Sequence, residues 1–421
     1  MTSRIVGQAP RPVGGSLPGH GSAGTQERSR AILRTAFVST YLPHRCGIAT
    51  FTSDLAAAVG QHEVVALHPM GGPGSYPADV RLQIRRDARR DYVLAAAALD
   101  RSSVDVVSIQ HEYGIWGGRD GEFVLDFVRS LRTPAVATLH TVLREPTENQ
   151  RRILATLAHE TAATVVMSQT AAALLASVYG VDPRRIEIVP HGVPDLQWRS
   201  PEAAKSLLGL QGRSVILSFG LLGPGKGYES AIAAMPEVVR SIPNACYVIL
   251  GATHPDLVRR EGEAYRGSLE HAVVELGIGG HVRFVDRFVS KADLGAWLQA
   301  ADIFVTPYPN LDQIVSGTLS YAMGAGKAIV STPYAYAREQ LAEGRGRLVP
   351  PGATSALAAV LVELLADPVT RASLGRRAYD YSRAMVWPVV GARYRRIFAR
   401  VAGSVVPLSE EASASYAVAG G

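Results

Sequence analysis

Residues 303–334 constrain the fold more than any other stretch of the chain. Residues 303–306 form a short apolar run of the kind that makes a buried strand, and a loop with two prolines follows it. Ser316 then has the side chain of a helix N-cap, ahead of a helical run at 317–323 and a second strand at 327–330. A strand, a loop, a helix and a strand in this order predict a βαβ crossover in a parallel sheet.

The start of this helix is a predicted anion site. It lies at the carboxyl edge of the sheet, where the first N–H groups of the helix lack partners and carry a partial positive charge. The alternative is an ordinary surface crossover whose glycines serve only the turns. A second glycine-rich turn between a strand and a helix, at residues 220–227, favours the anion site.

The turn at residues 220–227 resembles a phosphate-binding loop but lacks one of its groups. Lys226 follows the glycines, whereas Gly227 stands where a P-loop has the hydroxyl that ligates Mg²⁺, so we do not predict an NTPase. A glycine turn with a lysine before a helix still suits a diphosphate. The residues predicted to bind that diphosphate are Gly223, Lys226, Ser316, Gly317 and Thr318.

Composition and charge narrow the class of protein. The chain has 421 residues, 47% hydrophobic and 19% charged, which is typical of a soluble globular protein of about two or three domains. It has no apolar run of about 18 residues, no signal-peptide core and only 2 cysteines, so we expect a cytoplasmic protein without a disulfide framework. The net charge of +6 fits anionic partners, but no basic block with interleaved aromatics predicts binding to nucleic acid.

Alternating strands and helices at 34–193, and again from residue 215 onward, predict an α/β protein with two doubly wound domains. A ligand would bind between the domains, where their glycine-rich edges face each other. We divide the chain into a disordered tail at 1–33, a first domain at 34–194, a second domain at 195–385, a helix at 386–402 and a disordered tail at 403–421.

In the first domain, Gly47 lies between a predicted strand at 35–39 and a predicted helix at 48–59. A glycine at this position lets a ligand approach the backbone. We expect Thr50 or Thr52 to cap the helix.

Polar side chains follow two further predicted strands of this domain. His111 and Glu112 come after a strand at 104–109, and His140 comes after a strand at 134–139. Titratable side chains just past buried strands suit a ligand crevice. The alternative, that they only cap loops or serve the fold, stays open from the residues alone.

The order of these motifs resembles that of a known family, the retaining GT-B glycosyltransferases, which include sucrose synthase and bacterial phosphatidylinositol mannosyltransferases. The similar segments are residues 41–54, Thr138-Leu139-His140, Pro190-His191-Gly192-Val193, the turn at 220–227 with Lys226, Pro307 and the block at 316–330. The resemblance covers roughly residues 35–402. It implies a GT-B fold, in which two Rossmann-like domains face each other across a cleft and a C-terminal helix returns to the first domain.

The sequence departs from the family pattern at three positions. The family has an arginine where this chain has Leu221, and two glutamates where it has Gln313 and Tyr321. In the family one of those glutamates contacts the donor sugar and the other the ribose. Gln313 still has a hydrogen-bonding amide, but Tyr321 lacks the carboxylate that binds a diol. Asp312, one residue out of register, is the alternative carboxylate.

The resemblance implies an enzyme that moves a hexose from a nucleotide-diphosphate sugar to an acceptor hydroxyl with retention of anomeric configuration. In the family's front-face mechanism the leaving phosphate oxygen takes the acceptor proton, so we expect neither a general base nor a metal or other cofactor. The expected partners are a nucleotide sugar and a carbohydrate or other hydroxyl acceptor. The expected roles are catalysis for His140 and Lys226, sugar binding for Gln313, nucleotide binding for Tyr321 and Arg287, and the acceptor side for Gly47, His111 and Glu112.

Two other functions are compatible with the same fold. A sugar- or nucleotide-binding protein without turnover would account for the three departures, and a sugar-nucleotide epimerase would act without an acceptor. A basic amphipathic helix at 392–401 also leaves binding to an anionic membrane open, although packing on the first domain is the preferred interpretation.

Overall fold

The computed structural model describes residues 33–69, 72 and 75–403. The tails predicted at 1–33 and 403–421 lie outside this range except for Leu33 and Gly403. The described chain forms two parallel sheets, each with a hydrophobic cluster on either face. The prediction of an α/β protein with two doubly wound sheets is therefore confirmed.

The first half of the chain forms the larger sheet. Its strands are β1 (Thr35–Ser39), β2 (His62–His68), β3 (Val80–Arg85), β4 (Val106–His111), β5 (Ala135–Leu139), β6 (Ala163–Val166) and β7 (Ile186–Ile188). Its helices are α1 (Gly47–Val59), α2 (Arg89–Asp100), α3 (Val124–Ser130), α4 (Glu148–Glu160) and α5 (Gln169–Tyr179). The strands lie parallel in the order β3-β2-β1-β4-β5-β6-β7.

The second half repeats this arrangement with six strands. They are β8 (Ser214–Phe219), β9 (Ala245–Leu250), β10 (Val282–Val285), β11 (Ile303–Thr306), β12 (Ala328–Ser331) and β13 (Arg347–Leu348). The helices are α6 (Glu202–Leu207), α7 (Tyr228–Ser241), α8 (Pro255–Glu261), α9 (Ala264–Glu275), α10 (Lys291–Ala300), α11 (Gly317–Gly324), α12 (Ala335–Gln340), α13 (Thr354–Ala366), α14 (Pro368–Ser382) and α15 (Trp387–Val401). The strand order is β10-β9-β8-β11-β12-β13.

Burial on both faces explains the nearly continuous apolar strands. In β1, Ala36 and Val38 pack in one cluster and Phe37 packs in the other. In β8, Val215 and Leu217 pack on one face and Ile216 on the opposite face. Because side chains alternate across a strand, a strand covered on both faces needs apolar residues at every position.

Both sheets reverse their strand order at one point, between β1 and β4 in the first and between β8 and β11 in the second. The connections after such strands separate and leave a crevice at the carboxyl edge of the sheet. Gly47 follows β1, Glu112 follows β4, Lys226 follows β8 and Ser316 follows β11. The topology therefore gathers predicted site residues at these two crevices.

Two segments of the chain connect the halves, one around Val193 and one around Val386, and these segments lie side by side. Val193, in the first connecting segment, donates its N–H to the carbonyl of Met385 at 2.9 Å. Trp387, in the second connecting segment, donates its N–H to the carbonyl of Val193 at 3.0 Å. Val193 and Val386 form a parallel β-bridge, so the two connections act as one paired strip.

The last helix, α15, packs on the first half. Tyr394 and Phe398 are fully buried in the cluster that contains Phe37 and Phe51. The Tyr394 hydroxyl also lies 3.1 Å from the Thr138 hydroxyl. The apolar face that would enter a membrane is thus covered by the protein itself. Within residues 33–69, 72 and 75–403, none of the helices has the length and apolar character needed to cross a membrane.

One local prediction for α1 is wrong. The helix is capped by the Cys46 thiol, which accepts from the N–H of Ala49 at 3.3 Å, rather than by Thr50 or Thr52. Those threonines lie inside the helix and donate to carbonyls four residues earlier, at 3.2 Å and 2.8 Å. A threonine inside a helix has this alternative to capping, because its hydroxyl reaches the carbonyl of the preceding turn.

Candidate functional site

Lys226 lies against the start of α11. Its Nζ is 4.6 Å from the ring centroid of Tyr308, in the loop after β11. The Tyr308 hydroxyl is 3.0 Å from the hydroxyl of Thr318, which is 3.2 Å from the Ser316 hydroxyl. The glycine turn after β8 and the N-terminus of α11 therefore meet at one place, which we call the anion cradle: Gly223, Lys226, Tyr308 and Ser316–Thr318.

The cradle depends on a close backbone approach. Gly227 has φ +71°, and a Cβ at this position would lie 2.0 Å from the carbonyl oxygen of Pro307. Only glycine fits such a contact in the left-handed region. The approach brings the start of α7 directly against the loop that leads to α11. Gly223, in the same turn, is half-buried.

The N-terminus of α11 is formed as the sequence predicts. Ser316 is its N-cap, and the Ser316 hydroxyl accepts from the N–H of Leu319 at 3.3 Å. The N–H groups of the first turn remain outside the intrahelical bonds, and the helix dipole favours an anion there. Among the described residues, Lys226 has no carboxylate within 4.0 Å, so its charge is uncompensated by an ion pair.

His191 also lies against α11, and no site role was predicted for it. A Cβ on Gly317 would lie 2.8 Å from Nε2 of His191. Nδ1 of His191 lies 2.8 Å from the carbonyl of Gly192, so Nδ1 donates and Nε2 is left as an acceptor. Burial lowers the pKa of His191 to about 4, which keeps the ring neutral. The available signal was a third histidine just past a strand, after His111 and His140.

His140 follows β5, as predicted, and is 8% exposed. Its Nε2 donates to Oε1 of Gln110 at 3.0 Å, while the Gln110 amide donates to the Ser108 hydroxyl at 3.0 Å. These bonds leave Nδ1 of His140 as the acceptor. Burial, with smaller effects of His191 and His111, lowers the pKa of His140 to about 3.

The ring of Phe51, on α1, contacts both His140 and His191. Its ring centroid lies 4.7 Å from that of His140 and 5.1 Å from that of His191, both edge to face. It also lies 5.3 Å from the Trp387 ring. An aromatic ring that contacts both imidazoles and the start of α15 fixes their orientation at the boundary between the halves.

The three residues predicted on the acceptor side occupy different environments. Gly47 is exposed, and a Cβ there would meet nothing within 4 Å. The Glu112 carboxylate accepts from the Thr141 hydroxyl, and burial raises its pKa. His111 is the last residue of β4 rather than part of a loop. It is fully buried, and neither ring nitrogen has a hydrogen-bond partner within the part of the chain that the structure describes. The predicted loop position of His111 is wrong because β4 extends two residues further than expected.

Tyr321 contacts the other half of the protein. Its hydroxyl donates to Oδ2 of Asp54, on α1, at 3.0 Å, and Lys291 forms an ion pair with Oδ1 of the same carboxylate. Tyr321 is 8% exposed, and its ring lies 6.2 Å from that of Phe219. Burial and Asp54 raise the pKa of Tyr321 well above its usual value. The structure therefore gives the Tyr321 hydroxyl a partner other than a nucleotide.

The remaining predicted residues, Gln313 and Arg287, and the alternative carboxylate Asp312 are not part of the cradle. Gln313 donates its amide to the carbonyl of Val315 at 2.9 Å. Asp312 accepts from Nε of Arg144 in the first half at 3.1 Å. Arg287 is exposed after β10. In the described chain no group of three or more His, Cys, Asp or Glu side chains is placed to share a metal ion, and the expectation of a metal-independent site stays a prediction.

Two family models match successive parts of the chain. One, described as Glycosyl transferases group 1, matches residues 213–367 and so includes the cradle. The other, described as Glycosyltransferase Family 4, matches residues 46–195 and includes His140 and His191.

Curated relatives resemble half of the chain. A phosphatidyl-myo-inositol mannosyltransferase of Mycolicibacterium smegmatis is 29% identical over 206 residues, which are 49% of this chain and 50% of that protein. A D-inositol 3-phosphate glycosyltransferase of Kineococcus radiotolerans is 29% identical over 229 residues, 51% of each chain. The chain spans about half the length of the curated relatives it matches.

Solved structures share the whole architecture. A sucrose-phosphate synthase from Thermosynechococcus elongatus has a TM-score of 0.71 at 20% identity, over 87% of this chain and 100% of that one. Anabaena HepE in complex with UDP and glucose has a TM-score of 0.70 at 15% identity, with the same coverage. The family and the GT-B fold predicted from the sequence are both confirmed: the chain belongs to the GT-B glycosyltransferases.

Proposed function

We propose that the protein transfers a hexose from a nucleotide-diphosphate sugar to an acceptor hydroxyl, with retention of the anomeric configuration. The observation that carries this proposal is the anion cradle. Lys226 has no carboxylate partner among the described residues and lies beside the N-terminus of α11, so two sources of positive potential converge on one place. A diphosphate is the group whose charge suits both.

In the proposed reaction, negative charge develops on the leaving diphosphate. The bond between C1 of the sugar and the phosphate oxygen breaks, a bond from C1 to the acceptor oxygen forms on the same face, and the acceptor proton passes to the leaving oxygen. Lys226 and the N–H groups of Gly317 and Thr318 stabilise the departing diphosphate. Each well-placed donor of this kind contributes about 3–4 kcal/mol to the transition state.

The histidines of the first half act by orientation. Because His140 and His191 are neutral and each holds one hydrogen bond, each presents a fixed acceptor nitrogen rather than a charge. Such a nitrogen accepts from a hydroxyl of the sugar or of the acceptor. Gln313 and Glu112 supply further hydrogen-bonding groups on the donor and acceptor sides.

The names of the relatives and structural neighbours suggest which donors to test first. GDP-mannose appears in the name of a Corynebacterium glutamicum mannosyltransferase, and UDP-glucose in a complex of Anabaena HepE. Both carry the diphosphate that the cradle would bind. We propose that donors of this class bind the protein.

The test is incubation of the full chain with UDP-glucose and GDP-mannose, followed by measurement of donor binding and of nucleoside diphosphate release. Binding together with release, retained in an Arg90→Ala control and lost in Lys226→Ala, would support the proposal. Arg90 is an exposed arginine on α2, outside the site. Absence of both binding and release with these and other nucleotide sugars would refute it.

A binding protein without turnover is the second candidate, and one observation favours it. Tyr321 stands where the family has a carboxylate for the ribose, and its hydroxyl is bonded to Asp54. Tight donor binding without release of nucleoside diphosphate, in the presence of a panel of sugar and polyol acceptors, would select this alternative. Slow hydrolysis of the donor would exclude it.

A further inference from the structure

Tyr308 contacts both parts of the anion cradle. Nζ of Lys226 lies 4.6 Å from the centroid of the Tyr308 ring, and the Tyr308 hydroxyl lies 3.0 Å from the hydroxyl of Thr318, in the first turn of α11. The same side chain therefore touches the lysine of the glycine turn and the N-terminus of the helix opposite that turn. The proposed function gives Tyr308 no role of its own.

The backbone brings Lys226 and Tyr308 side by side. Lys226 precedes Gly227 in the chain, and Tyr308 follows Pro307. Gly227 and Pro307 approach so closely that a Cβ on Gly227 would lie 2.0 Å from the carbonyl oxygen of Pro307. Because Gly227 also has a left-handed φ of +71°, only glycine suits this approach. The position of the lysine over the ring thus follows from a fixed meeting of two loops.

The ring of Tyr308 is itself held in place. It stacks on the ring of Tyr334, with the centroids 5.3 Å apart and the ring planes at 18°. The Thr332 hydroxyl donates to the Tyr308 carbonyl at 2.5 Å, and the Tyr334 hydroxyl lies 3.3 Å from that of Thr306. Tyr308 is only 4% exposed. A ring fixed by stacking and by its own backbone is a rigid support for a flexible lysine side chain.

An aromatic support leaves the charge of Lys226 available to a ligand. Among the described residues, no carboxylate lies within 4.0 Å of Nζ of Lys226. A carboxylate would also orient the ammonium, but its negative charge would compete with an incoming diphosphate. The face of an aromatic ring attracts a cation through its quadrupole and carries no net charge. The ring therefore orients the ammonium without neutralising it.

We propose, on the basis of the proposed function, that Tyr308 is a positioning residue of the diphosphate site. Its ring holds the ammonium of Lys226 and its hydroxyl holds Thr318, so that one diphosphate can bridge the lysine and the N-terminus of α11. Tyr308 acts through Lys226 and not by contact with the reacting atoms. If Tyr308 served only to fill its hydrophobic cluster, the effect of removing its ring would not depend on Lys226.

The test is a double-mutant cycle, measured by calorimetric binding of inorganic pyrophosphate to the full chain. Tyr308→Leu removes the ring and should weaken binding about tenfold, whereas Tyr308→Phe keeps the ring and should weaken it about threefold or less. When Lys226→Ala is already present, Tyr308→Leu should weaken binding no more than Tyr308→Phe does in the wild type, because the cation that the ring supports is gone. Tyr379→Leu is the matched control. It removes a ring whose centroid lies 3.7 Å from Cζ of Arg383, outside the cradle, and should leave the affinity unchanged.

The lysine signals in nuclear magnetic resonance spectra provide a second readout, which applies to the wild-type protein and does not require Tyr308→Leu to fold. The lysines of the chain are Lys205, Lys226, Lys291 and Lys327, so selectively labelled lysine signals can be assigned by substitution. The ring current of Tyr308 should shift the ε-proton signal of Lys226 upfield in the wild type and in Tyr308→Phe. In Tyr308→Leu the signal should return to its ordinary position.

Equal effects of Tyr308→Leu with and without Lys226, an unshifted Lys226 signal in the wild-type protein, or no binding of pyrophosphate to the wild type would each overturn the proposal. Release of nucleoside diphosphate from a donor, at a rate that Tyr308→Leu leaves unchanged, would refute this inference alone. Coupling of Tyr308 to Lys226 in pyrophosphate binding, without turnover of any nucleotide sugar, would support this inference and refute the transferase function instead.

Discussion

The two sides of the candidate site differ in charge: the histidines of the first half are neutral, and the lysine of the second half is positive. The first half presents His140 and His191 buried and neutral, each with one ring nitrogen committed to a hydrogen bond. The second half presents Lys226, half-buried and without a carboxylate partner among the described residues. Under the proposed function, this contrast would mean that the second half stabilises charge and the first half orients hydroxyl groups. The following experiments test that division, from the largest expected effect to the smallest.

Acidification should destabilise the first half most. Burial lowers the pKa of His111 and His140 to about 3 and that of His191 to about 4, whereas an unfolded histidine titrates near 6.5. The unfolded chain therefore binds more protons below pH 6.5, and stability is lost as the pH falls from there toward the folded pKa values. Between pH 6.5 and 5.0 the free energy of unfolding should drop by about 2 kcal/mol for each of these histidines.

Denaturant unfolding at a series of pH values measures this effect. His140→Asn should flatten the pH dependence, whereas His271→Asn, at an exposed position on α9, should leave it unchanged. A midpoint that stays constant between pH 7 and pH 5 would contradict the description of these histidines as neutral and buried.

Removal of the Lys226 charge should have the next largest effect, on function rather than on stability. Lys226→Ala should lower the rate of transfer about 10²–10³-fold, because a charged donor to the diphosphate is lost. Lys226→Arg should recover part of the rate. Initial rates of nucleoside diphosphate release provide the measurement, and a variant as fast as the wild type would remove the cradle from the mechanism.

Gly317→Ala tests the contact between the two sides. The added Cβ would lie 2.8 Å from the buried His191 ring, so the first turn of α11 or the ring has to move. We expect a loss of about 2 kcal/mol in the free energy of unfolding. Gly267→Ala, inside α9 with nothing within 4 Å of its Cβ, should instead be neutral or stabilising. Equal thermal shifts in the two variants would show that the His191 contact is unimportant.

Tyr321→Phe should have the smallest effect, a loss of about 1 kcal/mol, because it removes one hydrogen bond to Asp54 across the boundary. Tyr247→Phe is the matched control, since the Tyr247 hydroxyl bonds to Ser218 within the second half at 3.0 Å. Lowering the salt concentration should strengthen only the Tyr321 contact, which involves a carboxylate paired with Lys291. Identical salt dependence in the two variants would argue against a charged contact.

The fold was predictable because its determinants are local. Apolar runs such as 303–306, the N-cap at Ser316 and the glycine turn at 220–227 each specify one element, and their order specifies the parallel sheets. The Cys46 cap was missed because threonines are the more usual caps, while both candidates bond back into the helix.

The site was predictable only where it follows directly from strand ends. Lys226, Ser316 and His140 were selected in that way, and their functional roles stay predictions. Asp54, His191 and Glu339 act across the boundary between the halves, with partners 267, 126 and 170 residues away. No local pattern encodes such pairings. The burial of His111 was missed for a different reason, since a two-residue extension of β4 moves the side chain from a loop into the core.

The paired passage at Val193 and Val386 has a mechanical consequence. Because backbone hydrogen bonds join the two connections, we expect them to move together as one hinge if the halves separate. Any such separation would part Tyr321 from Asp54, and the Glu339 carboxylate from the N–H of Gln169 at the start of α5, in a single movement. Entry of a ligand into the cleft and its exit would then depend on the same rotation.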